Sequence, residues 1–366
     1  MPTISKDLVN HLNITEADAG QRLDNYLIKV LKGVPKSHIQ RIIRAGEVRL
    51  NKKRCKGTDR LTEGDVLRIP PIRIAEKQRP SESSAAPARE FEIVYEDDAM
   101  LVINKPAGVA VHGGSGISFG VIEQIRRARP EARYLELVHR LDKDTSGLLM
   151  IAKKRSALVK LHEAIRNDHP KKIYLALGVG KFAQDKVHVK LPLYKYTGAQ
   201  GEKMVRVSEE GRSAHTIFRV LQRFSGPLLH QIGLSDLTYI EATLKTGRTH
   251  QIRVHMREAN HPLAGDAVYG NPRHACSDVA KDAVKGLARQ ALHAYRLSFV
   301  HPQTGETVQF EAPIPDDMYH LLSVLRLEAG LDSSLSNEVE WQNKIDDDDD
   351  DWDDDDYDVE VMYVKD

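Results

Sequence analysis

The chain has 366 residues, 41% of them hydrophobic, and a formal net charge of +0 that conceals a division: residues 338–366 hold fifteen acids and two bases, while the other 337 hold 51 bases against 38 acids. No run of 18 apolar residues exists and the first twenty residues contain no apolar h-region, so neither a membrane span nor a secretory leader is expected. Two cysteines, Cys55 and Cys276, match no zinc or CxxC spacing and suit a reducing, cytoplasmic setting, and a body this basic calls for a polyanionic partner.

Residues 1–18 read as a loose leader and 19–70 as a compact unit. Leu23, Tyr26, Leu27, Val30 and Leu31 recur at helical spacing. Pro35 and Ser37 restart the chain, Ile39, Ile42 and Ile43 give a second apolar face, and Gly46 ends that helix in the usual C-terminal position. Residues 48–50 read as a strand, Asn51-Lys52 as a turn and 65–69 as a closing strand. Bases crowd the second helix and the turn, among them Lys36, Arg41, Arg44 and Lys52. A charge run is ordinarily a solvated face, but two short helices and a hairpin, basic on one side, also suit phosphate contacts on structured RNA.

Residues 71–89, rich in Pro, Ser, Ala and charge and without period, read as a linker. In 90–330 strands are expected at 93–95, 100–104, 148–152, 172–177, 216–221, 238–244 and 308–311, and helices near 118–129, 155–167, 248–258 and 316–327. They do not alternate strictly, so the fold expected is α+β, a mixed, mostly antiparallel sheet with flanking helices. Residues 338–366 are low-complexity aspartate, expected to be disordered and free to contact the basic body.

Several chemistries have no motif here. There is no GxxxxGK[ST], the glycine-rich HGGSGISFG (112–120) is not a GxGxxG, and the HxE…PCxxC pattern of zinc deaminases is missing. His250 and His255, five apart, read as packing or RNA contacts rather than metal ligands, and no metal is expected. Three stretches remain. HRLDKDTSG (139–147) holds Asp142 and Asp144 before an apolar strand, either a polar turn or a carboxylate placed for chemistry. LKTGRTHQIRVHM (244–256) offers Arg253, able to pair with a buried aspartate and keep it ionised. KKIYLAL (171–177) places Tyr174 in a strand, a ring able to stack on a base and move protons.

With INKPAGVAVH (103–112), HPLAGDAVYG (261–270) and ALHAYRLSF (291–299), these stretches resemble the pseudouridine synthases, in the family that contains the ribosomal large-subunit enzymes, over about residues 91–320. Residues 21–70, through RLDNYL, GEVRLN and the GD-hydrophobic strand, resemble the S4 RNA-binding domain. The resemblance implies an isomerase without cofactor that turns uridine into pseudouridine in large-subunit ribosomal RNA. Transfer RNA as substrate, and a non-catalytic RNA-binding assembly factor, are the alternatives; the joint presence of Asp142, Tyr174 and Arg253 speaks against the second. Asp142 matches the catalytic aspartate, Tyr174 the active-site tyrosine, Arg253 the arginine partnered with the aspartate, and Arg140 the arginine that holds out the flipped base. Arg248 and His250 are expected on the substrate side, Asp144 in a turn, and Leu141 and Leu148 as apolar walls. Gly265-Asp266 departs from the family's pattern in a variable stretch and puts none of these roles in doubt.

Overall fold

The computed structural model describes all residues except 1–4, 6, 17, 32–33, 73–85, 114–118, 168–169, 199–200, 226–235, 271–286, 288 and 331–366. Most of the expected linker, the middle of the glycine-rich stretch and the whole acidic tail lie outside the described residues.

The N-terminal unit contains β1 (Asn10–Asn13), α1 (Leu23–Val30), α2 (Lys36–Arg44), β2 (Arg49–Leu50), β3 (Lys53–Arg54) and β4 (Val66–Ile69), with an antiparallel sheet in the order β1-β4-β2-β3. The expectation of a loose leader over 1–18 is corrected. Asn10–Asn13 pairs with β4, and Leu12 and Ile14 are buried against the helices. The pattern NHLN alternates but offers a single large apolar residue, too weak a period to read as a strand. The expected turn is present: Asn51 and Lys52 have φ of 50° and 66°, the left-handed pair that a two-residue hairpin needs. Asn51 suits it because its side chain accepts from Val66 N–H (2.8 Å) and donates to Asp65 (2.7 Å). Ile39, Ile42 and Ile43 of α2 are buried, each worth about 1.5–3 kcal/mol of apolar burial, while Lys36, Arg41 and Arg44 of α2 and Lys52 of the turn are exposed.

The larger unit contains β5 (Glu92–Glu96), β6 (Met100–Lys105), α3 (Val121–Ala128), β7 (Glu136–Leu137), β8 (Ser146–Ala152), α4 (Arg155–Arg166), β9 (Lys171–Val179), β10 (Lys186–Val189), β11 (Leu193–Thr197), β12 (Lys203–Val207), β13 (Thr216–Phe224), β14 (Leu237–Leu244), α5 (Gln251–Glu258), β15 (Leu292–Val300), β16 (Thr307–Glu311) and α6 (Asp316–Glu328). A large sheet runs in the order β10-β13-β14-β9-β15-β8-β6-β5, with β16 on β15 and β7 on β8. Among the described residues only the β8–β15 pairing is parallel, so the fold is α+β on a mixed, mostly antiparallel sheet. β11 and β12 form a separate hairpin. One face of the sheet packs Leu149, Ile151, Tyr174 and Ala242 against α3 and α5; the other packs Leu148 and Met150 against α4, and Leu177 and Tyr239 against α6. Among the described residues no helix is long and apolar enough to cross a membrane.

Candidate active site

Asp142 sits in the short loop between β7 and β8, where Thr145 N–H donates to its carbonyl (3.2 Å). Gly147 follows with φ +108°, and a Cβ there would overlap the Ala294 carbonyl of β15. Glycine lets β8 approach β15 closely enough to aim the loop over the sheet.

Two buried cations fix the loop from below. Lys105, at the end of β6 and fully buried, donates Nζ to the carbonyls of Pro106 (2.9 Å), Val109 (2.9 Å) and Lys143 (3.0 Å). Burial pushes its pKa down to about 7, yet three carbonyl acceptors require the three N–H donors that only the ammonium supplies. Arg289 forks onto Asp317 at the start of α6 (2.6 and 2.8 Å) and donates Nη1 to the carbonyls of Asp144 (3.2 Å), Gln290 (3.1 Å) and Leu292 (3.2 Å). The backbone on either side of Asp144 is thereby tied to β6 and β15. Asp144 contributes its carbonyl, as a turn residue.

The Asp142 carboxylate meets Arg253 of α5 at 3.2 Å (Oδ2 to Nη1). Its side chain is 19% exposed, against 8% for Arg253. Arg253 is itself held: Nε and Nη2 donate to the fully buried carboxylate of Asp266 at 2.7 and 2.9 Å, and its guanidinium lies 4.9 Å above the Tyr269 ring. Burial alone would raise the Asp266 carboxyl, but the Arg253 fork and the N–H groups of Val268 and Tyr269 hold it below the usual carboxylate range. Desolvation opposes the charge on Arg253, and its two aspartates more than offset this, so its pKa is raised.

His250 precedes α5 with φ 53°, a strained value for a residue with a Cβ. Its Nδ1 bonds Tyr269 Oη at 2.8 Å, and its Nε2 stands 3.7 Å from Asp142. Burial lowers its pKa despite that carboxylate, which keeps the ring neutral near pH 7. Tyr269 Oη also accepts from Val205 N–H of β12 (3.0 Å). Tyr174 of β9 is buried beneath the cleft, where desolvation and then the Asp142 charge raise its pKa and keep it a phenol.

The cleft is lined by Arg140, Leu141, Asp142, Tyr174, Leu244, Arg248, His250, Ile252, Arg253 and Leu292, among others. All six expected residues of the larger unit therefore converge on it: Asp142, Tyr174, Arg253, Arg140, Arg248 and His250. Arg248 Nε is tied to Ser213 O at 3.0 Å. Leu141 is a wall as expected, but Leu148 is not; it packs on the other side of the sheet, and Leu244, Ile252 and Leu292 supply the apolar lining instead. His255 faces away, bonded to Thr216 Oγ1 (2.8 Å) and Leu191 O (3.0 Å). Among the described residues no group of three or more metal-ligating side chains occurs. Lys36, Arg41, Arg44 and Lys52 belong to the N-terminal unit, not to this cleft.

Sequence reasoning passed over Asp266, Tyr269, Lys105 and Arg289. Asp266, read only as part of a departure from the family's pattern, is the bidentate partner of Arg253. The signal was its place in HPLAGDAVYG, thirteen residues after Arg253.

Residues 99–258 match the RNA pseudouridylate synthase family and residues 21–67 the S4 domain. The chain is 48% identical over 321 residues to ribosomal large subunit pseudouridine synthase C of Pasteurella multocida, spanning 87% of this chain and 94% of that protein. It is 49% identical over 316 residues to the protein of that name in Escherichia coli K12 (86% and 95%), and 50% identical over 358 residues to ribosomal large subunit pseudouridine synthase D of Neisseria meningitidis (95% and 90%). Among solved structures, human RNA pseudouridylate synthase domain containing 4 shares the fold, with a TM-score of 0.52 and 24% identity over 64% of this chain and 93% of that one.

Proposed function

The chain belongs to the RNA pseudouridine synthase family, and from that premise we propose that Asp142 is its catalytic carboxylate and that it isomerises uridines in large-subunit ribosomal RNA in the cytoplasm. One observation carries the proposal: a part-exposed carboxylate at the mouth of a cleft, gripped by an arginine that is itself locked by a second, fully buried carboxylate.

The reaction breaks the bond from C1′ to N1, turns the uracil and joins C1′ to C5; C5 loses its proton and N1 gains one, so the product is an isomer of the uridine. The target nucleotide leaves its stack to reach Asp142. Asp142 acts at the ribose, as nucleophile or as base. Arg253 orients it and keeps it charged, and the Asp266 fork prevents Arg253 from swinging away. The neutral His250 beside Asp142 contacts substrate without adding charge, Arg140 helps hold out the flipped base, and Arg248 at the rim meets phosphate. Tyr174 packs on the uracil. It assists removal of the C5 proton. Leu141, Leu244, Ile252 and Leu292 keep water from the cleaved intermediate.

Lys36, Arg41, Arg44 and Lys52 of the N-terminal unit hold the RNA backbone, and the acidic tail competes with RNA for the basic body. Two identities near 50% to enzymes named for the ribosomal large subunit support that substrate over transfer RNA. The test is Asp142→Asn, which removes a charge at nearly constant shape. Tritium release from C5-labelled uridine RNA should fall at least about a thousandfold while RNA binding survives; turnover within about tenfold of wild type overturns the assignment. Asp144→Asn, whose role is through its backbone, should keep most activity.

A further inference from the structure

Two side chains face the Asp142 carboxylate, and they face different oxygens. Arg253 Nη1 bonds Oδ2 at 3.2 Å, while His250 Nε2 stands 3.7 Å from Oδ1. The first distance is a hydrogen bond and the second is too long for one. Among the described residues no hydrogen bond reaches Oδ1, so Oδ1 is the oxygen free to act at a ribose. His250 stands beside that oxygen without occupying it.

The hydrogen on the His250 ring is placed by the partner of its other nitrogen. Tyr269 Oη accepts from Val205 N–H at 3.0 Å and lies 2.8 Å from His250 Nδ1. Tyr269 is 2% exposed, and burial raises its pKa, so it keeps its O–H. Among the described residues Nδ1 is the one acceptor this O–H reaches, and a buried hydroxyl that donates to nothing is costly. Nδ1 therefore accepts, and Nε2 carries the hydrogen toward the cleft.

One turn supports both neighbours of Asp142. Arg253 and His250 stand three apart at the start of α5, and Asp266 and Tyr269 stand three apart in the turn behind them. Asp266 holds Arg253, and Tyr269 holds His250. Asp266 Oδ1 closes the turn by accepting from Val268 and Tyr269 N–H at 2.9 and 3.0 Å. His250 is kept at φ 53°, a backbone value that costs free energy for a residue with a Cβ and persists where the surroundings enforce it.

We propose that His250 is a further catalytic residue, the hydrogen-bond donor to the uracil O2 while the glycosidic bond breaks. The proposal deepens, and rests on, the reading of this cleft as one that isomerises uridine. As C1′–N1 breaks, the electron pair of that bond leaves with the uracil, and the negative charge spreads over N1, O2 and O4. O2 lies on the carbon next to N1, so a ribose held at Oδ1 brings it toward the imidazole. His250 keeps its proton, and its hydrogen bond strengthens as the charge builds, as fixed donors do toward a developing oxyanion. Arg253 does not serve here, because Nε and Nη2 bond Asp266 and Nη1 bonds Asp142.

The test uses the full chain and a fragment of large-subunit ribosomal RNA holding one uridine that the unaltered chain converts. The fragment is made with uridine or with 2-thiouridine at that position, since sulfur accepts hydrogen bonds weakly. Single-turnover conversion is read by chromatography of the digested nucleosides. On the uridine fragment His250→Ala should slow conversion about a hundredfold, the usual loss for one such donor, with RNA affinity within about twofold. His250→Gln, whose amide N–H falls near the Nε2 position, should recover at least about tenfold of that loss. Tyr269→Phe should slow conversion about tenfold, because the hydrogen is then no longer kept on Nε2. With 2-thiouridine the unaltered chain should slow about tenfold or more, and His250→Ala should lose little further. Thermal transitions show that each variant is folded. Conversion within about threefold of the unaltered chain in His250→Ala overturns the proposal. So does a folded His250→Gln as slow as His250→Ala, or an equal loss in His250→Ala on both fragments, which would make His250 a brace for Asp142. If the unaltered chain converts no uridine in ribosomal RNA, the proposed function falls and this inference with it; the other outcomes overturn the inference alone.

Discussion

The molecule uses the same side chains for two opposite purposes. On the N-terminal unit Lys36, Arg44 and Lys52 are exposed and, among the described residues, reach no carboxylate, while Arg41 pairs with the half-exposed Glu47 at 3.1 Å. In the catalytic unit Lys105, Arg253 and Arg289 are buried, and carbonyl and carboxylate oxygens take up their donors. An exposed cation near a polyanion gains chiefly by releasing counterions, so position matters little and salt matters much. A buried cation gains only if every donor is matched, so position is everything and salt matters little.

The sharpest break of this contrast is Asp266→Asn. It leaves Arg253 buried with one carboxylate in place of two, at a cost of about 3–5 kcal/mol in stability if the pair behaves as buried pairs do. Turnover should fall about a hundredfold or more, because Asp142 loses its fixed partner. Urea denaturation combined with single-turnover assays reads both. A stable, active variant would show that Arg253 is positioned by Asp142 alone.

A second distinction concerns acid. His255 and His293 are fully buried, hydrogen-bonded to Thr216 and Leu191 and to Ser146 and Ala312, and desolvation lowers their pKa to about 4. The unfolded chain binds protons on both below its ordinary value near 6.5, and the folded chain does not. Their contribution is therefore fully present above about pH 6.5 and lost as pH falls toward 4, at up to about 1.4 kcal/mol per unit for each group. In the N-terminal unit His11 is exposed and His38 half-buried. Hydrogen exchange followed unit by unit should show the catalytic unit loosening across this window while the N-terminal unit holds. Parallel loosening would contradict the assignment.

Deletion of residues 1–75 sharpens the other side. With the four bases proposed to reach phosphate gone, RNA affinity at low salt should drop more than about tenfold and the salt slope should fall by about 3. Conversion at saturating RNA should persist. An unchanged slope would remove the N-terminal unit from the interface. The smallest effect concerns the aspartate tail. Truncation after Ser336 removes a net charge of −13 tethered to a body of +13, and should tighten non-specific RNA binding several-fold at low salt. Equal affinity with and without the tail leaves it a solubility device.

How far these features were legible depended on whether a signal was local. The periodic faces of α1 and α2, the Asn51-Lys52 turn and the strands β6, β8, β9 and β14 could be read because each is a pattern within ten residues. β15 was not read as a strand: it is buried on both faces along most of its length, so LHAYRLSFV shows no alternation. β11 and β12 were missed for the opposite reason, a hairpin mostly in solvent with charged residues on both faces. The site itself was visible as motifs but not as a network. Arg253 could be paired with a carboxylate from its chemistry, but sequence gave no means of seeing that two carboxylates share it, or that Lys105 and Arg289, separated by most of the catalytic unit, hold the same loop.

The strand order carries a further meaning for timing. β15 lies between β8 and β9, although it is made more than a hundred residues after either. A chain still emerging from the ribosome holds Asp142, Tyr174 and Arg253 well before it holds the strand that seats them, and neither Arg289 nor the Ala294 carbonyl against Gly147 is yet present. Domains complete themselves only when their last interior element is available. An enzyme whose proposed target is part of that ribosome thus stays inert through most of its own synthesis, and becomes competent only as its final strands and α6 are released.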